Sequence, residues 1–308
     1  MSTPKALDGR LKIPAIASPM FLVSGPDLVV EACRSGVLGT FPALNQRSSE
    51  GYAAWLDEIE ARLSAFENPA PYGVNLIVHK SNPRLDADLK ITVARKVPLV
   101  ITSLGAVPDL VKAVHSYGGL AFHDVISRRH AEKAVEAGVD GVIAVAAGAG
   151  GHAGTISPFA LVEEIRSFYD GTIVLAGAIS NGAQIAAAQL MGADLAYLGT
   201  RFIATKESLA QQGFKDMIVA ASTSDILYTP AISGVNANFL KPSILAAGLD
   251  PSNLADVGKM DLEGEAKVWR DVWSAGHGVA SINDAPSVAE LCERLIAEYA
   301  AARGRLAA

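Results

Sequence analysis

Cysteine is almost missing: the 308 residues include two, Cys33 and Cys292. They stand far apart in helical patterns. Nothing here resembles a disulfide framework or metal-ligand spacing, so a reduced, cytoplasmic setting is expected. No triplet of histidines and carboxylates is spaced to hold a metal, and none is expected. Basic residues are too few to form a patch. Lys and Arg total 26 against 32 Asp and Glu, and the formal net charge is −6. The one basic cluster is Arg128–Arg129, which argues against nucleic acid or an anionic membrane as partner. No apolar run approaches the roughly 18 residues of a membrane span. The first residues, Met1 to Lys5, lack the basic-then-apolar order of a signal peptide. There is no Gly-x-Ser-x-Gly elbow for a serine hydrolase, and no G-x-G-x-x-G follows the first strand pattern.

What is present is rhythm. Half of the residues are hydrophobic, enough for a large core. Short apolar runs read as strands at residues 13–17, 37–41, 73–76, 99–102, 119–122, 141–145, 173–175 and 195–198. Between them lie amphipathic segments, clearest at 26–35, 50–66, 108–117, 128–137, 158–169 and 182–191. Such alternation implies parallel strands with right-handed helical crossovers, and eight strands is the number that closes a barrel. The expected fold is an α/β TIM (β/α)8 barrel with an inserted or C-terminal helical segment. Residues 1–205 and 265–308 would form the barrel. Residues 206–264 would be a helical and loop insertion over or beside its mouth, with the Gly, Asn and Pro-rich stretch 229–242 as lid, wall or plain packing. A last helix is expected at 286–301, capped by Ser287 and Glu290. Two matching phrases, 136–143 and 189–196, each place a glycine (Gly138, Gly192) and an aspartate (Asp140, Asp194) before a strand. They read as helix-to-strand hinges.

The most informative stretch is 142–155. An apolar strand empties into a loop with Gly148, Gly150, Gly151, Gly154 and one ionisable side chain, His152. Glycines let backbone approach a flat ligand, and a lone imidazole there can act as acid or base. A tight turn with a surface histidine is the plainer alternative. Barrel ligands bind at the C-terminal strand ends, which here gather Ser18, Pro19, Met20, Asn75, His123, Asp124, the glycine loop, Gly177, Ala178, Gly199 and Thr200. Turns after the seventh and eighth strands commonly hold phosphate on backbone N–H groups and a helix N-terminus. The turns at Gly177–Ala178 and Gly199–Thr200 fit that pattern, with the Thr200 hydroxyl as a further donor. Asn75 needs partners for its amide, either a heterocycle edge or backbone. His123 and Asp124 are adjacent on a strand and so point to opposite faces. His79, His115 and His130 read as surface residues. Trp269 and Trp273, four apart, read as core, and His277 is a second glycine-flanked histidine.

Together, Ala17-Ser-Pro-Met20, Gly73-Val-Asn-Leu76, the 147–154 loop, Ala176-Gly-Ala178 and 192–202 resemble the nitronate monooxygenase family. The resemblance covers about residues 11–205 and resumes at 274–278. It implies non-covalent FMN, with its phosphate on Gly177, Ala178, Gly199 and Thr200. Ser18, Pro19, Met20, Asn75 and Gly151 would complete the cofactor contacts. His152 matches the family's catalytic histidine, and His123 and His277 would border the substrate. Three positions depart from the family pattern. Ala178 stands where a glycine is frequent, His123-Asp124 where a lysine is common, and His277 where a glutamine is usual. The implied activity is oxidation of alkyl nitronates by O2 to carbonyl compounds and nitrite. The alternatives are an NAD(P)H-dependent reductase of quinones or enones on the same flavin, and a barrel that merely binds a phosphorylated metabolite. The partners implied are a small-molecule substrate and O2, with NAD(P)H and a homo-oligomer as further options.

Overall fold

A computed structural model describes residues 3–105, 108–254 and 271–307. The alternating pattern runs β1 (Ala15–Ala17), α1 (Pro26–Arg34), β2 (Leu38–Pro42), α2 (Ser49–Leu63), β3 (Tyr72–Ile77), α3 (Leu85–Ala94), β4 (Leu99–Ser103) and α4 (Pro108–His115). It continues through β5 (Leu120–Val125), α5 (Arg128–Glu136), β6 (Gly141–Val145), the two-residue β7 (Gly151–His152), α6 (Pro158–Arg166), β8 (Thr172–Ala176), α7 (Gly182–Leu190) and β9 (Leu195–Leu198). Eight of these strands, all but β7, close into a parallel barrel in which β9 pairs back onto β1. Their apolar runs are uninterrupted because both faces are covered. One face fills the barrel with Ile16, Leu38, Ile101, Phe122, Ile143, Val174 and Leu195. The other packs Val74, Val100, Ala121, Val142 and Ile173 against the helices.

The repeated phrase proves to be a staple between neighbouring strands. Asp140 Oδ2 accepts from Ala121 N at 2.8 Å and pairs with His115 Nε2 at 2.8 Å. Asp194 Oδ2 accepts from Ile173 N at 2.9 Å and from Arg166 Nη2 at 2.8 Å. Gly138 and Gly192 precede them with φ of +88° and +100°, the left-handed stop that ends each helix.

Beyond the barrel come α8 (Thr200–Ile203), α9 (Gln212–Ala220), β10 (Ile226–Thr229), β11 (Ala237–Leu240), α10 (Lys241–Ala246) and α11 (Val288–Ala307). The stretch read as a loop contains an antiparallel hairpin, with Ile226 opposite Leu240 and Thr229 opposite Ala237. Sequence patterning missed it because each strand is only four residues long and β11 also pairs with β7, far earlier in the chain. The Ser287–Glu290 box is present: Ser287 N donates to Glu290 Oε2 at 2.8 Å. Trp273 stacks on Phe214 of α9, with ring centroids 5.0 Å apart. Trp269 and the expected 264/265 boundary lie outside the described residues.

Candidate active site

A cavity of about 1570 Å³ opens at the C-terminal ends of the strands. Ser18, Pro19, Met20, Asn75, His123, Gly151, His152, Gly177, Ala178, Gly199 and Thr200 all line it. His277 does not: its side chain is exposed, and its N–H donates to Gly148 O at 2.9 Å.

The β1–α1 turn that carries Met20 is fixed by Asn45. Its amide donates to Met20 O and Ser24 O, and its Oδ1 accepts from Leu22 N. Across the mouth, the glycine loop after β6 is locked to residues 274–277. Gly151 N donates to Ser274 Oγ at 2.7 Å, and Gly276 N donates to Thr200 Oγ1 at 2.9 Å. The contact is close enough to require glycine. A Cβ on Gly276 would lie 2.4 Å from Gly148 O and 2.7 Å from Gly150 N.

His152 stands on β7, which pairs with β11 of the hairpin, Ala237 opposite His152 and Asn238 opposite Gly151. Asn238 Nδ2 donates to Ala149 O at 2.6 Å, and Tyr228 OH donates to Ala153 O at 3.0 Å. The hairpin is therefore a wall of the cavity and the splint of the histidine loop.

The two phosphate-type turns differ from expectation in one respect. The α7 N-terminus is closed by the chain itself. Asn181 Oδ1 accepts from Gln184 N, Gln184 Oε1 accepts from Ser180 N and Asn181 N, and Glu298 Oε2 accepts from Gly182 N. The donors left open are elsewhere. Thr200 N and Arg201 N take no acceptor among the described residues. Ser180 Oγ is buried and has no hydrogen-bond partner among the described residues. Thr200 Oγ1 accepts from Gly276 and so keeps its own proton to donate. Ala178 holds φ of +55°, the left-handed region that favours glycine.

On the far side, a hydrogen-bonded chain crosses three strands. Asn75 Nδ2 donates to Ser103 Oγ at 2.7 Å, and Ser103 Oγ donates to Asp124 Oδ2 at 2.5 Å. Asn75 Oδ1 accepts nothing among the described residues. Strand alternation separates the two residues at the end of β5, as expected. His123 turns to the outer layer, where Nδ1 meets Thr102 Oγ1 at 2.7 Å, and burial pulls its pKa down to about 4. Asp124 turns inward. Burial pushes its carboxyl up to about 6 against the opposing pull of the Ser103 hydroxyl. Tyr197 of β9, also inside, is raised well above the usual phenol range by burial and by Asp124. Sequence reasoning ranked His123 above Asp124. Counting inward positions along β5 from Phe122 would have reversed that order.

The family model described as nitronate monooxygenase matches residues 6–298. The chain belongs to this family. A nitronate monooxygenase of Paraburkholderia phytofirmans is 27% identical, over 77% of this chain and 76% of that protein. A protein of Mycobacterium tuberculosis named as a monooxygenase is 34% identical over 155 residues, half of this chain and 41% of that protein. Among solved structures, the nitroalkane oxidase of Streptomyces ansochromogenes superposes with a TM-score of 0.84 at 25% identity, covering 98% of this chain and 100% of that one. As a member of the nitronate monooxygenase family the protein is an enzyme, an oxidoreductase.

Proposed function

We propose that this protein is an FMN-dependent nitronate monooxygenase, oxidising alkyl nitronates with O2 to carbonyl compounds and nitrite. The observation that carries the reading is His152, splinted by β11 at the cavity wall in a member of this family. The donors left without protein acceptors fit FMN. Ser180 Oγ, the Thr200 hydroxyl and the N–H groups of Thr200 and Arg201 suit a phosphate. Gly199 packs closely on the β1 end, where an added Cβ would meet Ser18 Oγ at 2.8 Å. Asn75 Oδ1 suits a ring-edge donor. The volume exceeds the roughly 300–1,000 Å³ of an ordinary ligand pocket, so cofactor and substrate can share it.

When bound, FMN supplies the electron transfer between nitronate and O2. The chain's own residues do the rest. His152 removes the proton next to a nitro group, or as imidazolium holds the nitronate anion. Arg47, His130 and Lys133 line the mouth beside Arg84, whose charge is paired with Asp88 at 3.0 Å, and Asp124 is the one carboxylate among the described lining residues. That imbalance draws an anion inward although the whole chain is negative. Residues 226–240 shield the histidine loop from water.

The test is anaerobic. Purified FMN-loaded protein mixed with an alkyl nitronate should bleach in the visible flavin band. No spectral change with nitronate sinks the substrate assignment. Bleaching by NAD(P)H instead would identify a quinone or enone reductase.

A further inference from the structure

Asp124, part of the His123-Asp124 departure from the family pattern, has an unusual setting. It sits on the inner face of β5, above Phe122 and next to Ile143 of β6. Ser103 Oγ gives its one proton to Oδ2, because that oxygen already accepts from Asn75. Oδ1 is sealed from solvent and has no hydrogen-bond partner among the described residues, although the residue as a whole is half-buried at the cavity wall. An ionised carboxylate normally gathers several donors, and one donor in an apolar barrel is poor compensation. The groups that face it are few. Ser103 comes from β4, Asn75 from β3, Tyr197 from β9 and His152 from β7, while His123 lies on the reverse side of its own strand. Among the described residues no lysine or arginine bonds to it. Asp124 also lines the same cavity as the phosphate-type turns and His152.

We infer that Asp124 is the proton-holding residue of this cavity: when two electrons enter the flavin, one proton from water bonds to the Asp124 carboxylate. The inference rests on the FMN reading above. In the titration the two electrons come from dithionite and remain on the cofactor. The proton comes from solvent and forms an O–H bond on Asp124, so added negative charge in the cavity is matched by charge removed. Electrons placed beside an ionised Asp124 would face a like charge in a poorly screened interior. Protonation also allows Oδ1, which lacks a donor, to become one. Asn75 and Ser103 position the carboxyl without taking part in the transfer.

The experiment is a spectroelectrochemical titration of FMN-loaded protein from pH 5.5 to 8, comparing wild type with Asp124→Asn and Asp124→Glu. One extra proton per two electrons steepens the fall of the midpoint by about 30 mV per pH unit. Wild type and Asp124→Glu should show that extra slope over part of the range, and Asp124→Asn should lack it. A second readout needs no variant: on reduction, wild type should gain a protonated-carboxyl C=O band in the infrared difference spectrum. Parallel midpoint lines, or no new carboxyl band, overturn the inference and leave the cofactor reading standing. Protein that takes up no FMN overturns both.

Discussion

Changing Gly276 to alanine tests how the cavity wall is assembled. The added methyl would sit 2.4 Å from Gly148 O, 2.7 Å from Gly150 N and 3.0 Å from Ala149 C. All three are backbone atoms of one loop, so no side chain can rotate away. The backbone must part instead. Overpacking of this kind costs about 1–3 kcal/mol. At about 2–4 °C per kcal/mol for proteins somewhat smaller than this one, the melting temperature should fall by roughly 2–10 °C. The same displacement pulls Gly276 N away from Thr200 Oγ1, 2.9 Å apart in the native fold. Thr200 then turns, and one charge-assisted bond to phosphate, worth about 1.5–3 kcal/mol, is lost. That is roughly a 10- to 100-fold weaker FMN affinity. Gly304→Ala is the control. Nothing lies within 4 Å of its added methyl, so stability should hold or rise by up to about 1 kcal/mol. The assays are thermal unfolding and the flavin-to-protein absorbance ratio after dialysis. If Gly276→Ala melts with the wild type and keeps its flavin, the close packing of the two loops is refuted.

Other substitutions separate roles. His152→Ala should keep yellow protein and lose most turnover with nitronate; full activity by oxygen uptake would remove His152 from the chemistry. Thr200→Glu sets a carboxylate against the phosphate position and should yield colourless protein; flavin content equal to wild type would place the phosphate elsewhere. Asp194→Ala leaves Ile173 N without its acceptor and Arg166 with backbone carbonyls alone and should cost about 1–3 kcal/mol in urea unfolding, with bound flavin unchanged. The pair on β5 makes opposite contributions in acid. His123 stays neutral in the fold down to about pH 4 against an ordinary 6.5, so stability drains as pH falls through that window, by about 3 kcal/mol. Asp124 takes its proton near pH 6 against an ordinary 3.8, so stability returns over nearly the same window, also by about 3 kcal/mol. Asp124→Asn should therefore expose the loss from His123 between pH 6.5 and 4; urea midpoints that follow the wild-type pH curve would refute it.

The barrel was legible because a parallel strand covered on both faces must be a continuous apolar run. Eight such runs survive without help from neighbours. The hinge phrases around Asp140 and Asp194 were visible as repeats, but their bonds to Ala121 N and Ile173 N became clear only once strand neighbours were known. The hairpin was hidden for a different reason. Residues 226–229 and 237–240 are short and flank a stretch rich in turn residues; they pair with each other, and only the second strand is anchored on Gly151–His152, far earlier in the chain. The phosphate-type turns were visible as Gly177–Ala178 and Gly199–Thr200. That the α7 N-terminus spends its donors on Asn181, Gln184 and Glu298 was not, because Glu298 comes from the last helix. Asp124 was underrated because histidine draws attention near neutral pH, while inward or outward placement decides which neighbour meets the cavity.

The two-residue ladder between Gly151–His152 and Ala237–Asn238 also limits how such a molecule can be rebuilt. A transplant of the eight-stranded frame alone would carry the imidazole on an untethered loop. Shortening the appended segment to enlarge the entrance would alter the tilt of that ring at the same time. Changes of appetite for bulkier molecules should therefore arise elsewhere on the lining, around Leu22 and Leu104, where side chains can vary without unseating the histidine.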